Sequence, residues 1–320
     1  MSRRERKRRK SKFLRFWLFV MVLLATLAGG WYFLLGRLYE RVHYEEASAY
    51  TNQPFKGEGV INILLIGNDS RQNGEDGRSD AMILLSINDK TKKIYMTSIL
   101  RDIYVEIPGH DGNRLNAAYA YGGAELLMET VEQNFDIDVN RYVQVNFEAF
   151  ASLVDAVGGV ELELSTEELE YVNGYLVEYN MLTQRPEGTD YVNTSTPGKV
   201  HLNGAQALAY SRIRYIGTDF GRTQRQRKVL EAVIGRLPVA LAKGPGQLVN
   251  GILPNLTTNL KRNECFWLSF QAGKLALYDI EQGMIPVEGS YLDATIRGMS
   301  VLEIDFDKNK EYLQGIAGGK

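Results

Sequence analysis

The sequence predicts one layered α/β domain, in which helices flank a central mixed sheet. Several short apolar runs rich in β-branched residues have the length of buried strands. Segments with a helical spacing of apolar residues alternate with these runs, as they do in layered α/β proteins. The 320-residue chain is 44% hydrophobic, which is typical of a packed globule, and it contains no internal repeat or low-complexity tract.

The chain begins with a basic tail followed by a run without charged side chains. Nearly all the charged residues among positions 1–15 are Lys or Arg, although the whole chain has a net charge of -2. Phe16–Leu35 is about twenty residues long, enough for a helix to cross the hydrocarbon layer. The alternative, a cleaved signal peptide, usually has a shorter apolar segment. We therefore expect a cytoplasmic tail over residues 1–15 and a transmembrane helix over residues 16–36.

Residues 37–56 are expected to form a stalk and linker, and residues 57–320 one extracytoplasmic domain. The first strands of this domain are predicted at Val60–Ile66, Ala81–Ile87 and Lys93–Ser98. The first run is continuously apolar, as in a strand buried on both faces. Turn-forming residues separate the three strands.

Strands and helices continue to alternate through the rest of the chain. Further strands are predicted at Tyr142–Asn146, Val160–Leu164, Gly283–Val287 and Val301–Asp305. Helices are predicted to end near Asn134 and to cover Phe147–Val157, Ala205–Ala209 after an Asn203 cap, Thr223–Ala242, Gln247–Ile252, Arg262–Leu277 and the C-terminus. The stretch Glu161–Asp190 is strongly acidic, and we expect it to be exposed. We favour a solvated insert, and the alternative is that it borders a binding groove.

An arginine cluster follows the helix predicted at Ala205–Ala209. It contains Arg212, Arg214, Arg222, Arg225 and Arg227, with Asp219, Gln224 and Gln226 among them. A guanidinium group is planar and permanently charged, and its paired donors match phosphate oxygens. Several such groups would suit a diphosphate. The alternative is a solvated, charged helix face that Arg225 and Arg227 simply decorate.

A polar loop connects the first two predicted strands. Asp69 and Arg71 follow the first strand, and Arg78 and Asp80 lead into the second. Ligands of open α/β sheets gather at the carboxyl ends of strands, although a surface loop rich in turn formers is an equal alternative. The two aspartates offer hard oxygen ligands that suit Mg²⁺, with Mn²⁺ as a second choice.

Arg101 and Asp102 follow the third predicted strand, where they serve either a ligand or a structural ion pair. Phosphoryl transfer needs this combination of cations and a metal. Signatures of phosphate-binding loops, dinucleotide folds and serine hydrolases are absent. The single cysteine, Cys265, excludes an intrachain disulfide, and three scattered histidines define no zinc site.

Six segments resemble, in order, the motifs of the LytR-CpsA-Psr family of Gram-positive cell-wall proteins. They are LLIGNDSR, RSDAM, SILRD, RLNAAYAYGG, LNGAQALAYSRIRY and DFGRTQRQR, and the resemblance covers roughly Gly59 to Leu237. Two departures are small: Leu100 stands where the family often has proline, and the stretch Tyr215–Thr218 is short.

The resemblance implies an α/β domain whose apolar pocket holds a polyprenyl chain while arginines bind the pyrophosphate. Such proteins are membrane-anchored phosphotransferases that move a teichoic acid or capsular polysaccharide from the lipid carrier to peptidoglycan. By motif match, Asp69 and Asp80 would hold Mg²⁺; Arg71, Arg78, Arg101, Arg212, Arg214, Arg222 and Gln226 would contact the pyrophosphate; Arg101, Asp102 and Asp219 would act at the reacting groups. Asp102 and Asp219 would orient arginines or assist proton removal.

The implied partners are a polyprenyl-pyrophosphate-linked glycan, peptidoglycan and membrane lipid at a Gram-positive surface. A lipid-pyrophosphate hydrolase is one alternative, with water as the acceptor. A membrane-bound transcriptional attenuator is another, but the basic tail is too short to fold into a DNA-reading module, and we expect no nucleic-acid partner.

Overall fold

The computed structural model describes residues 29–47, 50, 54–55, 59–68, 79–216, 219–243 and 253–318. Most of the predicted transmembrane helix over residues 16–36, and the predicted helix Gln247–Ile252, lie outside these residues. Within the described part of the chain, no helix combines the length and apolar character needed to cross a membrane.

The chain alternates strands and helices as predicted. The strands are β1 (His43–Tyr44), β2 (Val60–Asn68), β3 (Ser79–Asn88), β4 (Lys93–Ile99), β5 (Tyr104–Val105), β6 (Asn113–Arg114), β7 (Arg141–Val145), β8 (Val160–Leu164), β9 (Gly198–Leu202), β10 (Leu256–Thr258), β11 (Asp279–Ile285), β12 (Tyr291–Ile296) and β13 (Met299–Ile304). The helices are α1 (residues 29–39), α2 (Leu115–Phe135), α3 (Phe147–Ala156), α4 (Thr166–Leu182), α5 (Gly204–Arg212), α6 (Asp219–Lys243), α7 (Arg262–Leu275) and α8 (Phe306–Gly318).

The central sheet is mixed, which confirms the predicted fold class. Its seven strands have the order β1-β10-β7-β2-β3-β4-β11. β2 runs parallel to β7, β4 runs parallel to β11, and β3 is antiparallel to both β2 and β4. The carboxyl ends of β2, β4, β7 and β11 therefore share one edge of the sheet with the start of β3. We call this the carboxyl edge.

The two faces of the sheet are covered by different helices. On one face, Leu64, Ile66, Met82 and Leu84 belong to a core that includes α2 and α8. On the other face, Ile61, Ile63, Ile87 and Ile94 pack with Trp267, Leu268 and Leu275 of α7. Leu65, Leu85 and Val143, in the middle of this second face, are only partly buried.

A second core lies beside the sheet and corrects the interpretation of Glu161–Asp190 as a solvated insert. Leu169, Val172 and Leu176 of α4 are fully buried there, together with residues of β8, β9, α3, α5 and α6. Their spacing of three and four residues places them on one side of the helix, so the acidic residues occupy the other sides. Ser165 and Glu168 form a capping box that fixes the start of α4.

Other differences concern the polar ends of elements. β11 begins at Asp279, four residues before the predicted strand, because it pairs with β4 along a polar outer edge. β12 was missing from the prediction, and it pairs antiparallel with β13. α2 begins at Leu115, inside the RLNAAYAYGG segment, and is interrupted at Gly122 and Gly123, where Gly123 has φ 63.

The N-terminal described residues contact the domain directly. His43 and Tyr44 pair with Thr257 and Thr258 of β10, inside the stretch predicted as a stalk and linker. The hydroxyl of Tyr39 donates a 2.7 Å hydrogen bond to the carbonyl of Leu260. The sheet thus extends to residues close to the predicted membrane helix.

Candidate functional site

The first part of the carboxyl edge is formed by the end of β2 and the start of β3. Gly67 pairs with Ala81 and Asn68 with Ser79, so Asp80 is the extra residue of a β-bulge beside Asn68. Asp80 is described by its backbone only, and Asp69, Arg71 and Arg78 lie outside the described residues. The pairing therefore brings Asp80 next to the residue that precedes Asp69.

The second part follows β4 and is organised by Asp102. The Nε of Arg101 lies 3.3 Å from Asp102 Oδ2, and the Nη1 of Arg114 lies 3.4 Å from Asp102 Oδ1. The backbone N–H of Asn116 donates to the carbonyl of Arg101 at 3.2 Å, which joins this turn to the start of α2. One carboxylate thus orients two guanidinium groups at the end of β4.

The third part is Arg212, at the C-terminus of α5. Asn203 caps this helix, as predicted, by accepting from the backbone N–H of Gln206. The Arg212 guanidinium lies 3.3 Å from a carboxylate oxygen of Glu178, and 4.9 and 5.4 Å from the ring centroids of Phe147 and Tyr175. Since Phe147 begins α3 directly after β7, these contacts place Arg212 near the carboxyl edge.

The fourth part is the start of α6, which crosses the ends of β4 and β11. The Thr223 hydroxyl contacts Met284 Sδ at 3.7 Å, and Met284 pairs with Ser98. Arg222 is 3% exposed. Phe220 packs on Tyr291 with 5.0 Å between ring centroids. The start of α6 therefore brings Arg222 to the same edge as Arg101 and Arg212.

The remaining predicted residues differ in how they are placed. Gln226 is partly buried on α6, and Arg214 is exposed just after α5. Asp219 is the first residue of α6 and is described by its backbone only.

Arg225 and Arg227 are buried, so the interpretation of these two as decoration of a solvated helix face is wrong. Arg225 Nε lies 3.0 Å from Glu168, and its Nη2 donates to the carbonyl of Ile216 at 2.9 Å. Arg227 Nη1 donates to the Ser98 hydroxyl at 2.6 Å, and burial lowers the pKa of its guanidinium below the usual value. Through these hydrogen bonds, both side chains connect α6 to the elements packed against it.

Sequence reasoning missed the side chains that surround the site arginines. Arg114 was visible as the first residue of the RLNAAYAYGG segment, but its pairing with Asp102 was not. Tyr175 and Glu178 lie in the segment interpreted as an insert. The four-residue spacing of Tyr171, Tyr175 and Tyr179 was the available signal for one helix face.

A cavity of about 570 Å³ lies elsewhere, with Lys93, Tyr95, Glu281 and Tyr312 among its lining residues. Lys93 begins β4, whereas Arg101 follows its end, so the cavity is at the opposite end of the strand from the arginines. It opens beside α8 and is separate from the sheet face on which Leu65 and Leu85 are partly buried.

The fold and the site define a class of layered α/β protein with arginines from separate chain segments at one sheet edge. The chain belongs to the LytR_cpsA_psr family, whose model matches residues 36–315. A relative in Enterococcus faecalis, a polyisoprenyl-teichoic acid--peptidoglycan teichoic acid transferase TagU, is 36% identical over 227 residues, which cover 69% of this chain and 66% of that protein. A TagU of Bacillus mycoides is 32% identical over 290 residues, which cover 86% of this chain and 88% of that protein.

Solved structures of the same family share the fold. The structure of TagT bound to LI-WTA has a TM-score of 0.66 and 29% identity, covering 86% of this chain and 97% of that chain. A structure of the LytR-CPS2A-psr family protein YwtF (TagT) with bound octaprenyl pyrophosphate lipid has a TM-score of 0.63 and 28% identity, covering 86% of this chain and 97% of that chain.

Proposed function

We propose that this protein is a membrane-anchored phosphotransferase that moves a glycopolymer of teichoic acid or capsular polysaccharide type from a polyprenyl-pyrophosphate carrier to peptidoglycan. The observation that carries this proposal is the approach of Arg101, Arg212 and Arg222 to one sheet edge from three separate chain segments. The names of the TagU relatives, and the lipid bound in the YwtF structure, agree with it.

The edge arginines contact carboxylates over longer distances than a tight ion pair has. Arg101, Arg114 and Arg212 each meet a carboxylate at 3.3 or 3.4 Å, whereas a committed charge-assisted pair is usually about 2.7–2.9 Å long. These carboxylates orient the three guanidinium groups. In the proposed complex, phosphate oxygens bind these guanidinium groups together with Arg214, Arg222 and Gln226.

The face of the sheet covered by α7 has an apolar surface on which we propose that the polyprenyl chain lies. Leu65, Leu85 and Val143 are incompletely buried in the middle of this face, although interior sheet positions usually pack fully. An isoprenoid chain lying over them would remove that apolar surface from water. β2 and β7 both lead from this surface to the carboxyl edge, so a lipid here would present its pyrophosphate to the arginines.

The proposed reaction is an in-line displacement at the phosphorus that carries the sugar. A hydroxyl of peptidoglycan attacks this phosphorus, the bond to the bridging oxygen breaks, and polyprenyl phosphate leaves with that oxygen and its electron pair. The product is a phosphodiester between polymer and peptidoglycan. The arginines stabilise charge on the transferring and leaving groups, and Asp102 or Asp219 accepts the hydroxyl proton or orients an arginine.

Asp69 and Asp80 are the proposed ligands of Mg²⁺, or of Mn²⁺ in its place. The bulge beside Asn68 supports this pairing, since it places Asp80 next to the residue that precedes Asp69. Two carboxylates suit a hard cation that keeps water and phosphate as its other ligands. Bound there, the metal would neutralise charge on the phosphates.

We also propose that residues 16–36 anchor the protein in the membrane, with the catalytic domain outside a Gram-positive cell. The length of the charge-free run and the basic block before it support this orientation. An anchor confines the domain to the surface where its lipid substrate lies. Membrane lipid is then a partner and nucleic acid is not.

The proposal is tested with purified full-length protein in vesicles that contain a polyprenyl-pyrophosphate glycopolymer, with peptidoglycan as acceptor. Arg212→Lys and Arg222→Lys should each lower covalent transfer roughly a hundredfold, because lysine keeps the charge but loses the paired donors. The matched control is Arg236→Lys, which lies on α6 about 21 Å further along the helix than Arg222. The Arg236 side chain donates to the carbonyls of Gly158 and Gly159.

Wild-type transfer by both site variants would refute the phosphate assignment. Release of free polymer without attachment to peptidoglycan would instead identify a lipid-pyrophosphate hydrolase, which would use the same residues with water as the acceptor.

A further inference from the structure

A stacked pair of tyrosines, one partly buried and one exposed, lies beside the candidate site. The rings of Tyr171 and Tyr215 stack with 5.7 Å between centroids and an interplanar angle of 15°. Tyr175 lies one helical turn after Tyr171 on α4, so both side chains project from the same side of the helix. We call Tyr171, Tyr175 and Tyr215 the tyrosine platform.

Packing of the second core explains only part of the platform, because Tyr171 and Tyr175 are partly buried against that core whereas Tyr215 does not belong to it. Leu169, Val172 and Leu176 already bury the core-facing side of α4. Tyr215 is 76% exposed, so its ring stabilises the fold little. The Tyr171–Tyr215 stack therefore presents an aromatic surface to solvent.

Charged groups connect the platform to the arginines of the site. Arg212 lies 5.4 Å from the Tyr175 ring centroid and also contacts Glu178, whose side chain is 48% exposed. Tyr215 directly follows Arg214 in the chain. A ligand with phosphate at Arg212 would thus have an aromatic surface, a carboxylate and a guanidinium group beside it.

We propose that the tyrosine platform binds a pyranose ring of the glycan next to the reacting pyrophosphate, a step that rests on the proposed function. One face of a pyranose is lined by C–H groups, which pack on the electron-rich face of an aromatic ring. The sugar hydroxyls need charged or polar partners, and the Glu178 carboxylate beside Arg212 can supply one. The ring belongs either to the polymer on the carrier or to the peptidoglycan acceptor, since both present pyranoses.

Tyr215→Ala is the decisive variant because this exposed ring can be removed without opening the core. Binding is measured by calorimetry with three probes: octaprenyl pyrophosphate, the same lipid bearing a disaccharide, and soluble oligosaccharides of the peptidoglycan glycan strand. KM and kcat for the oligosaccharide acceptor are measured in parallel.

We expect Tyr215→Ala to weaken the binding of one sugar-containing probe about tenfold, or to raise the KM of the oligosaccharide acceptor by the same factor. The kcat of this variant should stay within about twofold of the wild-type value. Tyr215→Phe should restore wild-type values because it keeps the ring, and Tyr44→Ala, an exposed tyrosine on β1, should change nothing. A loss confined to the sugar-bearing lipid assigns the platform to the polymer, and a loss with the oligosaccharides assigns it to the acceptor.

Wild-type binding of both sugar-containing probes, and a wild-type KM, in Tyr215→Ala would overturn the proposal. Octaprenyl pyrophosphate, which has no sugar, should bind this variant as it binds the wild type. If the wild type itself does not bind that lipid, the proposed function fails, and the oligosaccharide measurements still report on the platform.

Discussion

Six of the arginine side chains form two groups that differ in burial and in the length of their contacts. The buried group is Arg141, Arg225 and Arg227, each of which has a contact of 2.9 Å or less to a carboxylate, hydroxyl or carbonyl oxygen. The edge group is Arg101, Arg114 and Arg212, which are partly exposed and meet carboxylates at 3.3–3.4 Å. The charges of the three side chains in the buried group are compensated within the fold, so we interpret them as structural. Arg222 is also buried, but it lies at the carboxyl edge, where we propose that it binds phosphate. The edge group lies where we propose that phosphate binds.

Cys265 gives a single chemical probe of the packing around α7. Burial, followed by the nearby Glu264 carboxylate, raises the pKa of this thiol from 9.0 to about 11. Because the thiolate is the reactive form, we expect a disulfide reagent at pH 8 to react with the folded protein roughly a hundredfold more slowly than with the protein in denaturant. The rate in the folded protein should keep rising with pH up to about 11.

The absorbance of the released thiol leaving group measures this rate, and Cys265→Ser supplies the blank. Equal rates in folded and denatured protein would show that the thiol is accessible.

The raised pKa of Cys265 also determines how the stability of the fold depends on pH. The folded state favours the neutral thiol, so the contribution of Cys265 to stability is present below pH 9 and is lost as the pH rises toward about 11.

At the scale of helices and strands, the sequence predicts those elements whose pattern of apolar residues reflects which of their faces are buried. The apolar runs predicted β2, β3 and β4 because central strands are covered on both faces. β11 was shortened in the prediction because Asp279, Glu281 and Gln282 gain their strand conformation from pairing with β4, which local composition does not encode. The core position of α4 was not predicted, because acidic residues dominate its composition and only three apolar residues show the helical period.

The core position of α4 can be tested at two adjacent residues. Leu176 is fully buried in the second core, whereas Val177 is 49% exposed. Leu176→Ala should lower the free energy of unfolding by about 2–5 kcal/mol through lost burial and a cavity. Val177→Ala should change it by about 0.5 kcal/mol or less. Urea unfolding followed by circular dichroism measures both, and equal small effects would contradict a core role for α4.

At the scale of the whole molecule, the candidate site is assembled from distant parts of the chain by the sheet. The sequence identified Arg101, Arg212 and Arg222 by residue type and motif. It could not place Phe147, Tyr175 and Glu178 around Arg212, because that arrangement depends on how α4 and α5 pack in the second core. Resemblance to a family supplies residue roles, whereas these neighbours follow only from the tertiary structure.

The same assembly predicts how the protein responds to removal of divalent metal. Hydrophobic cores on both sides of the sheet and beside it hold the fold, and Asp80, one of the two proposed ligands, lies in the bulge at the carboxyl edge. Chelation should therefore lower glycopolymer transfer at least about tenfold, while the thermal unfolding midpoint shifts by no more than about 2 °C, unlike in small domains that fold only with their metal. Added Mg²⁺ should restore transfer in the wild type, and Asp80→Asn should respond weakly to it. Transfer that is insensitive to chelation would remove both aspartates from the metal role, and a large fall in the midpoint would mean that the metal is structural.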